Sequence, residues 1–102
     1  MAGPPRMTLK IECIPEKRGV RIRLSGELRC EQLGDVRTVI ERNAPPVILD
    51  LEEVELVDIH AVCFLNACEV RNLKVVNCTP YIREWMFQER ARERNQGSSR
   101  TP

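Results

Sequence analysis

The first part of the chain alternates between apolar and polar residues, which is the pattern of strands with one buried face. In the segment 7–13 apolar residues occupy every second position, and the segment 20–25 repeats this alternation. Pro15 and Gly19 punctuate the stretch between the two segments as a turn. We therefore predict that the two segments pair as a β-hairpin.

Beyond Gly26 the apolar spacing lengthens to three or four residues. This spacing over residues 33–40 predicts an amphipathic helix, and the Asn-Ala-Pro-Pro sequence at 43–46 ends it. Residues 47–51 form a short run of β-formers, as expected of a strand that is covered on both faces. The acid-rich residues 52–58 that follow are predicted to be a loop.

The second half of the chain predicts two more helices and one more strand. Residues 60–71 are markedly apolar and indicate a buried helix, and residues 73–76 indicate a strand. Thr79 is expected to be the N-cap of a last helix, with Pro80 at its first position. The apolar stripe of that helix consists of Ile82, Trp85 and Met86.

These elements follow the order β-β-α-β-α-β-α, which predicts an α/β fold. A hairpin followed by two crossover units gives a four-stranded mixed sheet packed with about three helices. The predicted domain covers residues 7–90. Residues 1–6 and 91–102 contain almost no apolar residues, so we expect a flexible N-terminus and a disordered C-terminal tail.

Size and charge restrict the possible functions. A chain of 102 residues has room for one domain. Its 16 basic and 15 acidic residues give a net charge of +1, which is a poor match to nucleic-acid binding. The apolar runs are too short to cross a bilayer, and the N-terminus lacks the apolar region of a signal peptide. We therefore predict a cytoplasmic protein that is not inserted into a membrane.

The cysteines fit a reducing compartment. There are five of them, an odd number, and no two have the C-x-x-C spacing of a typical zinc site. A metal cluster that includes His60 is one interpretation of this set. Buried, reduced thiols that pack as small apolar groups are the preferred interpretation. We accordingly predict no metal and no cofactor.

Four short segments resemble the STAS domain of the anti-sigma-factor antagonists. They match the family's L-x-G-E-L at the end of the second strand, its v-v-l-D-L strand, the start of its D-S-S-G-L switch, and its l-v-n-p-s-p-x-v approach to the last helix. The matching segments are residues 24–28, 47–51, 57–58 and 75–82. The resemblance covers residues 7–90 and implies a STAS-like fold.

The resemblance also implies a function in bacterial signalling and transcription regulation. In this family a serine beside the buried helix binds a partner when it is unmodified, and phosphorylation there repels the partner. At the corresponding positions this chain has Ile59, His60 and Ala61 in place of Ser, Ser and Gly. Ile59 has no hydroxyl group, so no phosphorylation site is predicted. We expect a non-catalytic interaction module without a serine phosphoswitch.

The expected docking surface is the 52–60 loop together with the start of the buried helix near His60. The resemblance suggests an anti-sigma-factor-like kinase or a related regulator as the partner. The residues expected to contact it are Arg29, Glu55, Val57, Asp58, Ile59 and His60.

Three of these residues have competing interpretations. Ile59 is either an exposed anchor or an inward cap on the core. His60 is either a titrating or phosphoryl-accepting group or, as we prefer, an ordinary residue at a helix start. Asp58 is either a catalytic carboxylate among the neighbouring glutamates or, as we prefer, the N-cap of the buried helix.

Two alternative functions stay open. The chain could be a cytosolic STAS subunit or regulator of a membrane transporter. It could also be a small-ligand domain that binds a nucleotide or a lipid, although the sequence shows no set of convergent polar groups. No catalytic residues are predicted, and we do not expect an enzyme.

Overall fold

The computed structural model describes residues 9–99. The chain is an α/β protein with one four-stranded mixed sheet and three α-helices, as the sequence predicts. A single 3-10 turn, Cys30–Gln32, precedes the first helix. In chain order the elements are β1 (Leu9–Pro15), β2 (Val20–Leu28), α1 (Leu33–Glu41), β3 (Val47–Val57), α2 (Ile59–Val70), β4 (Lys74–Val76) and α3 (Pro80–Ser99).

The sheet has the strand order β1-β2-β3-β4. Strands β1 and β2 form the predicted antiparallel hairpin, with Ile11 opposite Leu24. Strand β3 runs parallel to β2, and β4 runs parallel to β3. The two parallel pairs each require a crossover, which α1 and α2 supply. The carboxyl ends of β2 and β3 therefore meet at one edge of the sheet, where α2 begins.

The hairpin turn depends on Gly19. This residue has φ of +84°, a backbone conformation that side chains with a Cβ rarely adopt. A Cβ at this position would also collide with the carbonyl oxygen of Pro46, which accepts a hydrogen bond from the Val20 amide at 3.1 Å. Only glycine fits both the backbone angle and the close approach of the neighbouring chain.

The core lies between the sheet and the helices and is almost entirely aliphatic. Alternate residues of β2 are buried, which confirms the predicted alternation of that strand. Ile82 and Met86 of α3 are buried, and Trp85 is partly buried, as the apolar stripe predicts. The largest of the fully buried side chains are Ile22, Leu24, Leu28, Leu49, Leu51, Leu65, Ile82, Met86, Val36, Val62 and Asp50.

Strand β3 is longer than predicted. The sequence analysis expects a loop at residues 52–58, whereas β3 continues to Val57. The register with β2 shifts twice along this stretch, so β3 contains two bulges. The bulges place Val54 and Val57 on the buried side at intervals of three residues from Leu51, instead of the usual two. This spacing hides the strand from a search for alternation.

Helix α3 is also longer than expected. It continues to Ser99, so residues 91–99 are helical where the sequence analysis expects a disordered tail. Alanine, arginine and glutamate have high helix propensity, and the Glu89–Arg92 ion pair at 3.4 Å supports the helix across this boundary. The predicted flexible N-terminus at 1–6, the first two residues of the predicted first strand and residues 100–102 of the tail lie outside the described residues.

Candidate functional site

The start of α2 is fixed by the carboxylate of Asp58. One of its oxygens accepts a hydrogen bond from the Ala61 amide at 2.9 Å, which confirms the predicted N-cap. The other oxygen accepts a hydrogen bond from the Cys30 amide, also at 2.9 Å. Asp58 therefore ties the beginning of α2 to the chain that leaves β2. Sequence analysis missed this second contact, because Cys30 lies 28 residues away.

The surroundings of Asp58 favour its charged form. Burial alone would raise the pKa of this carboxyl group, but the hydrogen bonds from Cys30 and Ala61 outweigh burial. The neighbouring His60 and Arg29 act in the same direction, and the pKa of Asp58 lies below its ordinary value. Both oxygens of the carboxylate are thus occupied by backbone amides. This arrangement suits a structural cap and does not suit a proton donor.

Two large apolar side chains are exposed where β3 passes into α2. Ile59 is 39% exposed and Leu56 is 37% exposed. The sequence left the orientation of Ile59 open, and the structure turns it toward solvent rather than into the core. His60 is exposed next to it. Leu56 is a surface residue that sequence analysis missed, since its neighbour Val57 has the same apolar character.

Arg29 reaches this area through Glu27. Its guanidinium lies 3.1 Å from the Glu27 carboxylate. Glu27 is the register partner of Leu56 in the parallel pair of β2 and β3. The sheet therefore places Glu27, which pairs with Arg29, on the strand beside the exposed Leu56. We call residues 55–60 together with Arg29 the β3–α2 junction.

Most of the residues that were expected to contact a partner are exposed, but one of them is buried. Glu55, Ile59, His60 and Arg29 are exposed, and Asp58 is partly buried. The prediction that Val57 contacts a partner is wrong, because its side chain is only 4% exposed and packs in the core. It belongs to the extended β3 and not to a loop. Its place on the surface is taken by Leu56.

A second polar cluster surrounds the buried Asp50, which is 1% exposed. Its carboxylate accepts hydrogen bonds from Arg21 at 2.9 Å, from the Asn77 side chain at 3.0 Å and from the Glu52 amide at 3.0 Å. Burial raises the pKa of Asp50, but these donors outweigh it and lower the pKa overall. The contact with the Glu52 amide shows that Asp50 has a structural role in holding the backbone of β3.

The cysteines are all free in the described part of the chain. Cys68 is buried, Cys63 and Cys78 are partly buried, and Cys13 and Cys30 are exposed. The preferred interpretation of five buried thiols therefore needs correction for the last two. Within residues 9–99, no group of three or more histidine, cysteine, aspartate or glutamate side chains is arranged to hold a metal ion.

Comparisons with known proteins do not identify the chain. No protein-family model matches the sequence, and no curated protein matches it. In the described part of the chain, no helix is both long enough and apolar enough to cross a membrane.

Proposed function

We propose that the chain is a divergent STAS-like domain that docks onto a regulatory protein through the β3–α2 junction and catalyses no reaction. The observation that carries this proposal is the exposure of Leu56 and Ile59 at the start of a helix whose position Asp58 fixes. Exposed apolar side chains on a rigid support are the usual anchors of protein interfaces. We further propose that the protein acts in the bacterial cytoplasm.

The fold supports the STAS-like assignment. The segment that resembles L-x-G-E-L ends β2, and the segment that resembles v-v-l-D-L begins β3. Asp58 stands at the N-cap of α2, and Thr79 caps α3 through a hydrogen bond of 3.3 Å to the Ile82 amide. Each segment thus lies at the kind of boundary where the resemblance expects it.

The charges around the junction indicate the chemistry of the partner. Glu52, Glu53 and Glu55 are exposed on the same part of β3 that carries Leu56. A complementary surface would have an apolar pocket with basic residues at its rim. Surface charges of this kind mainly accelerate association, and salt weakens their effect. An anti-sigma-factor-like kinase or a related regulator with such a surface is the proposed partner.

The absence of an acceptor hydroxyl at Ile59 determines how binding would be controlled. A phosphate at this place would add about −1.5 to −2 charges, and the cost of removing that charge from water would keep it out of the apolar pocket of the partner. Ile59 cannot accept a phosphate, so the proposed complex forms constitutively or follows the abundance of the partner. Incubation with the partner kinase and ATP should leave residues 55–60 unmodified, as mass spectrometry of the peptide can show. Phosphate on this peptide would contradict the proposal.

Site-specific photo-crosslinking in the source cells tests the location and the class of partner. A photoreactive amino acid at position 59 should capture one protein that the same amino acid at Val70 does not capture. Val70 is a suitable control because it is exposed at the other end of α2. A captured kinase or sigma regulator supports the proposal. A permease or transporter ATPase would support the transporter alternative instead, and equal capture from both positions would contradict docking at the junction.

A further inference from the structure

A cavity of about 310 Å³ lies at the opposite end of α2 from the β3–α2 junction. It opens between the ends of α1 and α2 and the starts of β3 and β4. Its walls are largely apolar, and two exposed arginines contribute to its lining. The lining includes Ile40, Phe64, Cys68, Leu73, Arg37 and Arg71. The size is within the range of small-molecule sites, which begin at about 300 Å³.

The two arginines have no carboxylate partner among the described residues. Neither Arg37 nor Arg71 forms an ion pair within 4.0 Å there, whereas Arg21, Arg83 and Arg90 all do. The guanidinium of Arg37 lies 5.5 Å from the centre of the Phe64 ring, so the ring holds it over the cavity wall. Two unneutralised cations thus stand at the mouth of an apolar space.

The interior of the cavity is shielded from water but lies within the electrostatic influence of Arg37 and Arg71. Burial raises the pKa of the Cys68 thiol to about 11, while the charges of Arg71 and Arg37 act in the opposite direction. The charge of Glu69 also raises this pKa, but Glu69 lies outside the cavity lining and forms ion pairs with Arg83 and Arg90. Glu41 is the one acidic side chain that lines the cavity in the described structure. Among the side chains that line the cavity, the balance is therefore two cations against one anion, which favours an anionic ligand with an apolar body.

We infer that this cavity binds a small monocarboxylate, with its carboxylate on Arg37 and Arg71 and its apolar body against Phe64 and Leu73. A cavity of 150 Å³ holds benzene, so about 310 Å³ accommodates an apolar body of roughly eight to ten carbons. Guanidinium groups are the preferred partners of carboxylates in proteins because their donors match both oxygens. This site is independent of the proposed docking function.

Titration of the ¹⁵N-labelled protein with octanoate, followed by NMR, tests the inference. Octanoate should shift the amide signals of residues 68–73, and 1-octanol should bind at least about tenfold more weakly because it lacks the charge. A parallel titration with 2-naphthoate distinguishes a straight chain from a fused ring as the preferred body. Equal binding of octanoate and 1-octanol would overturn the assigned role of the arginines. No shift in residues 68–73 at millimolar octanoate or 2-naphthoate would overturn the site itself.

Charge-removing variants supply the matched control. Arg37→Gln and Arg71→Gln should each weaken octanoate binding by about tenfold or more, the effect of losing one charge-assisted hydrogen bond. Arg42→Gln removes the same charge from a nearby exposed residue outside the cavity lining, and it should change binding less than twofold. Equal weakening in all three variants would show a nonspecific charge effect and would contradict the site. Circular dichroism of each variant confirms that the fold is retained.

Discussion

Replacement of Asp58 by alanine tests whether this residue fixes the start of α2. The change removes the acceptor for the Ala61 amide and the acceptor for the Cys30 amide, each bonded at 2.9 Å. Loss of an N-cap costs about 1 kcal/mol, and loss of a second hydrogen bond costs about another 1 kcal/mol. The negative charge at the helix start adds about 0.5 kcal/mol. We expect Asp58→Ala to lower the free energy of unfolding by about 2–3 kcal/mol.

Urea unfolding followed by circular dichroism measures this loss, and Asp58→Asn is the control. The side-chain oxygen of asparagine can still cap the Ala61 amide, but its NH2 group cannot accept the hydrogen bond from the Cys30 amide. Asp58→Asn should therefore lower the free energy of unfolding by about 1 kcal/mol. A loss below about 0.5 kcal/mol for Asp58→Ala would refute the role of Asp58 as the anchor of the junction.

The pH dependence of the Asp58→Ala effect follows from the lowered pKa of Asp58. A carboxyl group with a lowered folded-state pKa stabilises the protein above its unfolded pKa of about 3.9, and this stabilisation is lost as the pH falls through the folded pKa. The difference between the wild type and the variant should therefore be full at pH 6 and shrink below about pH 4. A difference that stays constant to pH 2 would contradict the charged cap.

Two further predictions concern the rest of the fold. Gly19→Ala should destabilise the protein by at least about 1 kcal/mol, because its φ is +84°, whereas Gly34→Ala should stabilise it by about 0.5–1 kcal/mol, since a helical methyl group there meets open space. Thermal unfolding measures both, and similar effects of the two changes would contradict the turn geometry. A thiol reagent should modify the exposed Cys13 and Cys30 quickly in the native protein and the buried Cys68, whose pKa is about 11, only on unfolding. Equal rates at all three would contradict the described burial.

The features that the sequence predicts well are those with local causes. The caps at Asp58 and Thr79 each involve an amide only three residues along the chain. The strand alternation of β2 and the apolar stripe of α3 are also local, because each reflects one buried face of one element. Prediction from pattern therefore gives the class of fold and the positions where α2 and α3 begin.

The features that the sequence does not predict depend on distant parts of the chain. The bulges that extend β3 to Val57 arise from its pairing with β2, so a period-two search reads the acidic stretch as a loop. The second hydrogen bond of Asp58 comes from Cys30, and Asp50 is held by Arg21 and Asn77. None of these contacts has a signal in the local spacing of residues.

The candidate sites also depend on contacts between distant parts of the chain, which the sequence does not predict. The resemblance pointed to Ile59, but its exposure could not be decided, because isoleucine usually prefers burial. Its 39% exposure becomes known only from the packing of the whole fold. The cavity with Arg37 and Arg71 was not foreseen, since its lining is gathered from residues 37–73 on several elements.

The direct test of docking at the β3–α2 junction is the affinity for the partner captured at position 59, measured by calorimetry with purified proteins. Ile59→Asp should weaken binding by about thirtyfold, which corresponds to about 2 kcal/mol for burying a charge in an apolar pocket. Val70→Asp makes the same change at a side chain that is 76% exposed at the other end of α2, and it should leave the affinity unchanged. Unchanged affinity for Ile59→Asp, or an equal loss for both variants, would contradict docking at the junction.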